Sequence, residues 1–189
     1  KIHGHNEPIQ RSWFFNDSEY NLKDEDIIID HDIDEIIYED CYPLLLQELR
    51  KKRRPLSIKL NQFFFKNNYL WKDCNFSSPA IYSYGMVKRI DKKIKGLKIQ
   101  NLIDLPQKTK NIYGCHMSWV MPVDNMITKL HSYSHPEYRS FADKDKLKKA
   151  IIEKKYVFDT KRSFNIEELN YNDIRIPKYL QKNNIFDYL

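Results

Sequence analysis

Glycine is scarce in this chain, with only four in 189 residues, against a background rich in Lys, Asn and Ile. An AT-rich genome produces that bias without any physical demand behind it. Cysteine is equally sparse: Cys41, Cys74 and Cys115 stand alone, odd in number, and form no CxxC pair. Their spacing excludes a zinc cage and a disulfide framework and leaves room for one disulfide. No segment approaches the roughly 20 apolar residues of a membrane-crossing helix, and no signal peptide is visible. There is no internal repeat and no low-complexity linker, so residues 1–189 are expected to form a single domain. The chain opens with "KIHGHNEPIQR", without an initiator Met, and is expected to be a fragment whose upstream elements are missing.

What remains is enough for a core. A chain of this length can bury one. Although 31% of residues are charged, 14% are aromatic and Ile/Leu clusters recur, which excludes wholesale disorder. The formal charge of +6 suits either a soluble basic protein or one with an anionic partner, such as a nucleotide, phosphate or nucleic acid. Charge alone does not separate these. The one dense basic run, "RKKRR" at 50–54, follows the apolar "PLLLQEL" and reads as a solvated helix C-terminus, where cations suit the macrodipole.

Along the chain, residues 6–22 place Ile9, Trp13 and Phe14 at helical spacing, with Pro8 suited to a first turn. The apolar run at 26–30 predicts a strand buried on both faces, and a helix is expected from about Tyr42. Stretches 55–71 and 78–90, rich in β-branched and aromatic residues, read as strands. A further strand is expected over 111–121 with a glycine break inside it, then helices over 123–133 and 143–155, the second entered from an acidic cap. The C-terminal stretch carries mixed signals and supports no assignment. The mixture is α/β.

The stretch "DEDIIIDHDIDEII" (24–37) drives an Ile run into Asp30, Asp32, Asp34 and Glu35. Open α/β sheets place ligands beyond the carboxyl ends of their strands. Carboxylates crowded so closely repel unless a cation or donor groups compensate. A divalent ion would do this, and hard oxygen ligands favour Mg²⁺ or Mn²⁺ over Zn²⁺. The plainer reading is an acidic helix N-terminus, with Asp34 and Glu35 against the dipole. An EF-hand fails: its sixth position is Glu35 instead of Gly, and its twelfth is Cys41 instead of Glu. Further on, "YGCHMSW" (113–119) carries His116 after Gly114. Such a histidine is either a satisfied core residue or a metal or phosphate contact. "KLHSYSHPEYR" (129–139) adds Lys129, His131, His135 and Arg139.

Taken in order, these segments resemble glycosyltransferase family 17, that of the β-1,4-mannosyl-glycoprotein N-acetylglucosaminyltransferase. The matching residues are Glu7 with Gln10-Arg11, Asp32-Ile33-Asp34-Glu35-Ile36, Gly114-Cys115-His116-Met117-Ser118, and Lys129-Leu130 with His135. Together they span residues 6 to 139. The chain departs from the family pattern at His31, Ile37 and Cys115.

The resemblance implies a GT-A-like nucleotide-diphospho-sugar transferase fold, truncated at its N-terminus. It implies an inverting glycosyltransferase that moves a sugar, GlcNAc from UDP-GlcNAc, to a hydroxyl of a glycan or glycoprotein acceptor. In that frame the strand delivers a DxD motif to Mn²⁺ or Mg²⁺. Asp34 is the first-choice metal ligand, Asp32 touches metal or ribose, and His116 is the third protein ligand. Arg11 and Lys129 bind the donor, and Asp124 or Glu137 is the catalytic base. Animal members work in the Golgi lumen behind a membrane anchor, and a viral or microbial relative could work in the cytoplasm. Two rivals are a metal-dependent phosphohydrolase or nuclease and a non-catalytic basic module binding nucleic acid. No RNP, KH or zinc-finger pattern supports the second, and no nucleic-acid partner is expected.

Overall fold

The Ile run becomes strand β1 (Ile27–Asp30) in the computed structural model, which describes residues 21–87, 107–132, 136–158 and 163–182. The predicted helix over 6–22, with Arg11, lies almost wholly outside the described residues. The chain groups into two compact units, Lys1–Lys59 with Ser77–Tyr113, and Leu60–Phe76 with Gly114–Leu189.

In the first unit β1 is followed by β2 (Glu35–Ile37), a 3₁₀ turn (Glu39–Cys41) and helix α1 (Tyr42–Lys52). Proline in its first turn and Arg50, Lys51 and Lys52 in its last suit the helix ends. Leu45 and Leu49, one turn apart, are its buried residues. The helix stops at Arg53, whose left-handed backbone (φ 51°) lets its N–H reach Leu49 O at 2.9 Å. Strand β3 (Leu56–Phe64) begins here, then β5 (Ala80–Ser83) and a helical turn α2 (Tyr84–Val87). The first part of β6 (Gln107–Ser118) completes the unit.

The order is β1-β5-β3, with Ile27 opposite Ser83 and Ile81 opposite Leu56, both pairs antiparallel. This corrects the expectation for β1. Among the described strands it lies at the end of that order, and its two faces differ: Ile28 is 8% exposed and Ile27 41%. The strand predicted over 78–90 is short for a local reason. Tyr84 and Gly85 donate their N–H groups to Asp26 O and Asp24 O, each at 2.9 Å, which turns the chain into α2. A Cβ at Gly85 would meet Asp24 O at 3.0 Å. Helix α1 is fastened to β6 through Glu48, whose carboxylate accepts from Lys110 N–H at 2.8 Å and from the Tyr113 hydroxyl at 2.7 Å.

In the second unit the remainder of β3 turns sharply at Phe65 (φ 67°) into β4 (Lys66–Phe76), and β7 (Ile166–Glu168) pairs antiparallel with β4. The predicted run 55–71 is therefore a hairpin. Strand β6 passes through Gly114 unbroken, because no glycine among the described residues takes a positive φ. Helices α3 (Val123–Ser132) and α4 (Lys144–Ile152) fall where the spacing places them. Asp143 caps α4 by accepting from Lys146 N–H at 3.0 Å. A 3₁₀ turn (Pro136–Phe141) lies between them, and a short α5 (Lys178–Lys182) follows. The core packs Met126, Leu130, Leu147 and Ile151 against an aromatic group centred on Phe64. That ring meets Phe65, Trp71, Tyr156, Phe158 and Phe164, with centroids 4.6 to 6.4 Å away.

Phe64→Ala removes the shared partner of five rings and is expected to cost about 3–5 kcal/mol in urea unfolding. A loss below about 1 kcal/mol would mean that the rings close over the gap. A second expectation concerns alkali. Burial, then Glu48, pushes the Tyr113 phenol from 10.0 up to about 12. The folded state holds that proton more tightly than the unfolded chain. Its stabilisation is complete below the unfolded value and is lost as the pH rises through the folded one. Unfolding free energy should fall across that window, and in Tyr113→Phe the same titration should be flatter.

Candidate active site

The acidic stretch between β1 and β2 is a tight turn closed in both directions. Asp32 N–H donates to Glu35 Oε2 at 2.8 Å, and Glu35 N–H returns to Asp32 O at 3.0 Å. The first bond is the side-chain half of a capping box, and the second is an ordinary backbone turn bond. His31 Nδ1 lies 2.9 Å from the same Asp32 carbonyl, which accepts from it when that nitrogen is protonated. Glu35 is 1% exposed, whereas Ile33 at the tip is 99% exposed. A buried carboxylate needs donors, and this one finds a backbone amide of its own turn. One acid of the cluster thus folds inward and fixes the backbone that carries the others. Asp32 and Asp34 stay half-buried at the surface.

Among the described residues, no three His, Cys, Asp or Glu side chains are grouped as a metal cage. Mg²⁺-type ions rarely need one: they are held by one or two carboxylates plus substrate phosphate oxygens and water. Asp32 and Asp34 are two hard oxygen donors on one hydrogen-bonded turn, the ligand type such an ion takes.

His116, Lys129, Asp124 and Glu137 belong to the second unit. His116 lies near the end of β6, half-buried. Its Nδ1 is 2.8 Å from Gln62 Oε1, and its ring lies on Phe76 with centroids 3.8 Å apart. The buried Gln62 amide is itself oriented, since its Nε2 donates to Phe63 O at 2.8 Å. Its oxygen therefore faces the imidazole, and Nδ1 must be the donor. The neutral ring then carries its lone pair on Nε2, the arrangement found in ligating histidines.

Lys129, on α3, holds its ammonium 4.8 Å from the Trp119 ring centroid, a cation–π contact. Asp124 lies in the first turn of α3, exposed, with its carboxylate 2.7 Å from Lys144 Nζ. Glu137 lies exposed in the 3₁₀ turn before α4. Sequence reasoning missed Glu35 as the closing group and Gln62 as the orienting one. The spacing of Asp32 and Glu35, three residues apart, is the local signal that marks the Glu35 bond. Gln62 sits in an apolar strand, and no local signal marks it.

No protein-family model, curated protein or solved structure matches the chain. No helix among the described residues is long and apolar enough to cross a membrane.

The tautomer of His116 is directly measurable. Nitrogen-edited NMR of the neutral ring should show Nδ1–H in the wild type, with a shift toward Nε2–H in Gln62→Leu. A wild-type ring protonated at Nε2 would remove the case for its lone pair.

Proposed function

We propose that the chain is a GT-A-like, metal-dependent glycosyltransferase that takes a sugar from a nucleotide donor to a hydroxyl of a glycan or glycoprotein. UDP-GlcNAc is the donor that the resemblance to glycosyltransferase family 17 implies. The observation that carries the reading is the acidic turn. Glu35 turns inward to close it, and Asp32 and Asp34 stand half-buried on the same turn. Mn²⁺ or Mg²⁺ bound there would act as a Lewis acid toward the diphosphate leaving group.

The chain's own residues then have distinct tasks. Asp34 binds the ion, and Asp32 binds the ion or the donor's ribose. Glu35 is a positioning residue, holding the Asp32 backbone through its N–H. His116 offers Nε2 as a third ligand or a diphosphate contact. Lys129 and Arg11 supply charge-assisted bonds to the donor. Inversion by direct displacement needs a base for the acceptor proton, and Asp124 and Glu137 are the candidates. For Asp124 that role requires release of its surface ion pair with Lys144, a weak tie.

Thermal-shift titration with UDP, GDP and CDP, with and without Mn²⁺, tests the reading. UDP should raise the melting temperature only with the metal. Asp34→Ala should weaken that binding by roughly tenfold or more, about 1.4 kcal/mol, with the fold intact. Asp30→Asn should be milder, because Asp30 still belongs to β1. Equal losses at both positions, or none at Asp34, would overturn the assignment. Phosphate release from simple esters without a sugar acceptor would favour a phosphohydrolase.

A further inference from the structure

The first unit has a second polar concavity, formed by residues separate from the acidic turn. It is a cleft of about 620 Å³, walled by α1, by Lys59 of β3 and by residues 107–113 of β6. Three separate elements bring lysines to it. Lys51 and Lys52 come from the last turn of α1, and Lys108 and Lys110 from β6, where they alternate with Thr109, 1% exposed. The period of two along β6 explains that alternation: Lys108 and Lys110 are exposed and Thr109 points inward. Thr109 holds the edge together, accepting from Lys59 N–H at 3.0 Å and donating to Asn111 O at 2.9 Å. Lys59 Nζ donates to Lys110 O at 3.2 Å, which keeps its ammonium beside the other four.

Among the described residues Glu48 is the only acid lining the cleft, against five lysines. Both of its oxygens are already engaged, by Lys110 N–H and by the Tyr113 hydroxyl. None of the five lysines forms an ion pair among the described residues, although Lys144, Lys146, Lys149, Lys154 and Lys155 all do. Like charges gathered without counterions repel, and that repulsion is relieved when a polyanion binds.

The rest of the lining narrows the ligand. Gln47 and Asn111 contribute carboxamides, groups that both donate to and accept from hydroxyls; Asn111 also bonds to the Tyr113 hydroxyl, and Gln107 Oε1 is buried. The single aromatic residue of the lining, Tyr113, is 3% exposed and its hydroxyl is taken, so a nucleobase would find no ring to stack on. The volume falls within the range of roughly 300–1,000 Å³ of small-ligand sites. Compact ammonium charges suit sulfate or phosphate groups. We infer that this cleft binds a short acidic saccharide, one carrying sulfate or phosphate esters, with the lysines reading its charge and the carboxamides its hydroxyls. The inference does not depend on glycosyl transfer at the acidic turn. It also gives the "RKKRR" run a use beyond a solvated helix end.

Fluorescence anisotropy with a labelled, fully sulfated heparin-type tetrasaccharide tests it on the whole chain. The sulfated probe should bind with an affinity that falls as salt rises, and unsulfated chitotetraose should not bind. The double variant Lys108→Glu/Lys110→Glu should bind it roughly tenfold or more weakly with an unchanged melting temperature, since both side chains are exposed. In Gln47→Ala/Asn111→Ala the tetrasaccharide should weaken while inorganic triphosphate does not, which separates hydroxyl reading from charge. An oligothymidylate of equal charge binding as tightly as the tetrasaccharide would overturn the inference in favour of nucleic acid. So would unchanged affinity in the lysine variant, or displacement of the tetrasaccharide by UDP.

Discussion

A carboxylate withdrawn from water must be met by donors, and the first unit is arranged around a buried one, Glu35, and a half-buried one, Glu48. Glu35 and Glu48 each accept from a backbone N–H, of Asp32 and of Lys110 respectively. These are charge-assisted bonds, stronger than neutral ones and costly to leave unmade. Glu35 sets the shape of the turn that presents Asp32 and Asp34. Glu48 sets the distance between α1 and β6 and thereby the width of the lysine cleft. Both candidate sites in this unit rest on the same device: a glutamate that accepts from a backbone N–H and fixes the segment beside it.

The second unit solves a different problem, that of holding a polar imidazole steady near an apolar interior. Its core is built from edge-to-face rings and from α3 and α4, which supply Met126, Leu130, Leu147 and Ile151. Ring packing of this kind adds orientation to simple burial. Gln62 extends that order to His116, because the amide is anchored on the β3 backbone and its oxygen accepts from the ring. Phe76 covers one face of the imidazole. Rigid strands, not loops, therefore set the direction of its lone pair.

The helices were legible in the sequence because their signals are local. Pro43 follows the helix start, basic residues crowd the end of α1, and Asp143 precedes α4 with its acceptor ready for a backbone N–H. The apolar runs also marked strands correctly, at Ile27–Ile29 and at Ile58–Phe64. What could not be read was partnership. Ile27, Ile28 and Ile29 are chemically alike; successive residues point to opposite faces of the sheet, and only the packing of each face decides that the first is exposed and the second buried. The hairpin at Phe65 escaped notice because its turn uses a phenylalanine where a Gly, Asn or Asp would have announced it. The acidic cluster was visible at once as a chemical feature. The division of labour within it, with Glu35 inward and Asp32 and Asp34 outward, depends on a turn only the folded backbone reveals.

That phenylalanine belongs to a wider pattern. Asn21, Arg53, Phe65, Trp119 and Lys154 all sit in left-handed backbone, and no glycine among the described residues does. Asparagine tolerates this region, but the other four carry a steric penalty that glycine would not. Arg53 is the clearest case: it is exposed, and its position after the last turn of α1 is one that helices ordinarily give to glycine. With these positions held by residues that bear the penalty, the chain lies below the stability its fold could reach. The shortage noticed first in the composition is thus also a reserve, written at named positions, from which a more heat-resistant form could be drawn.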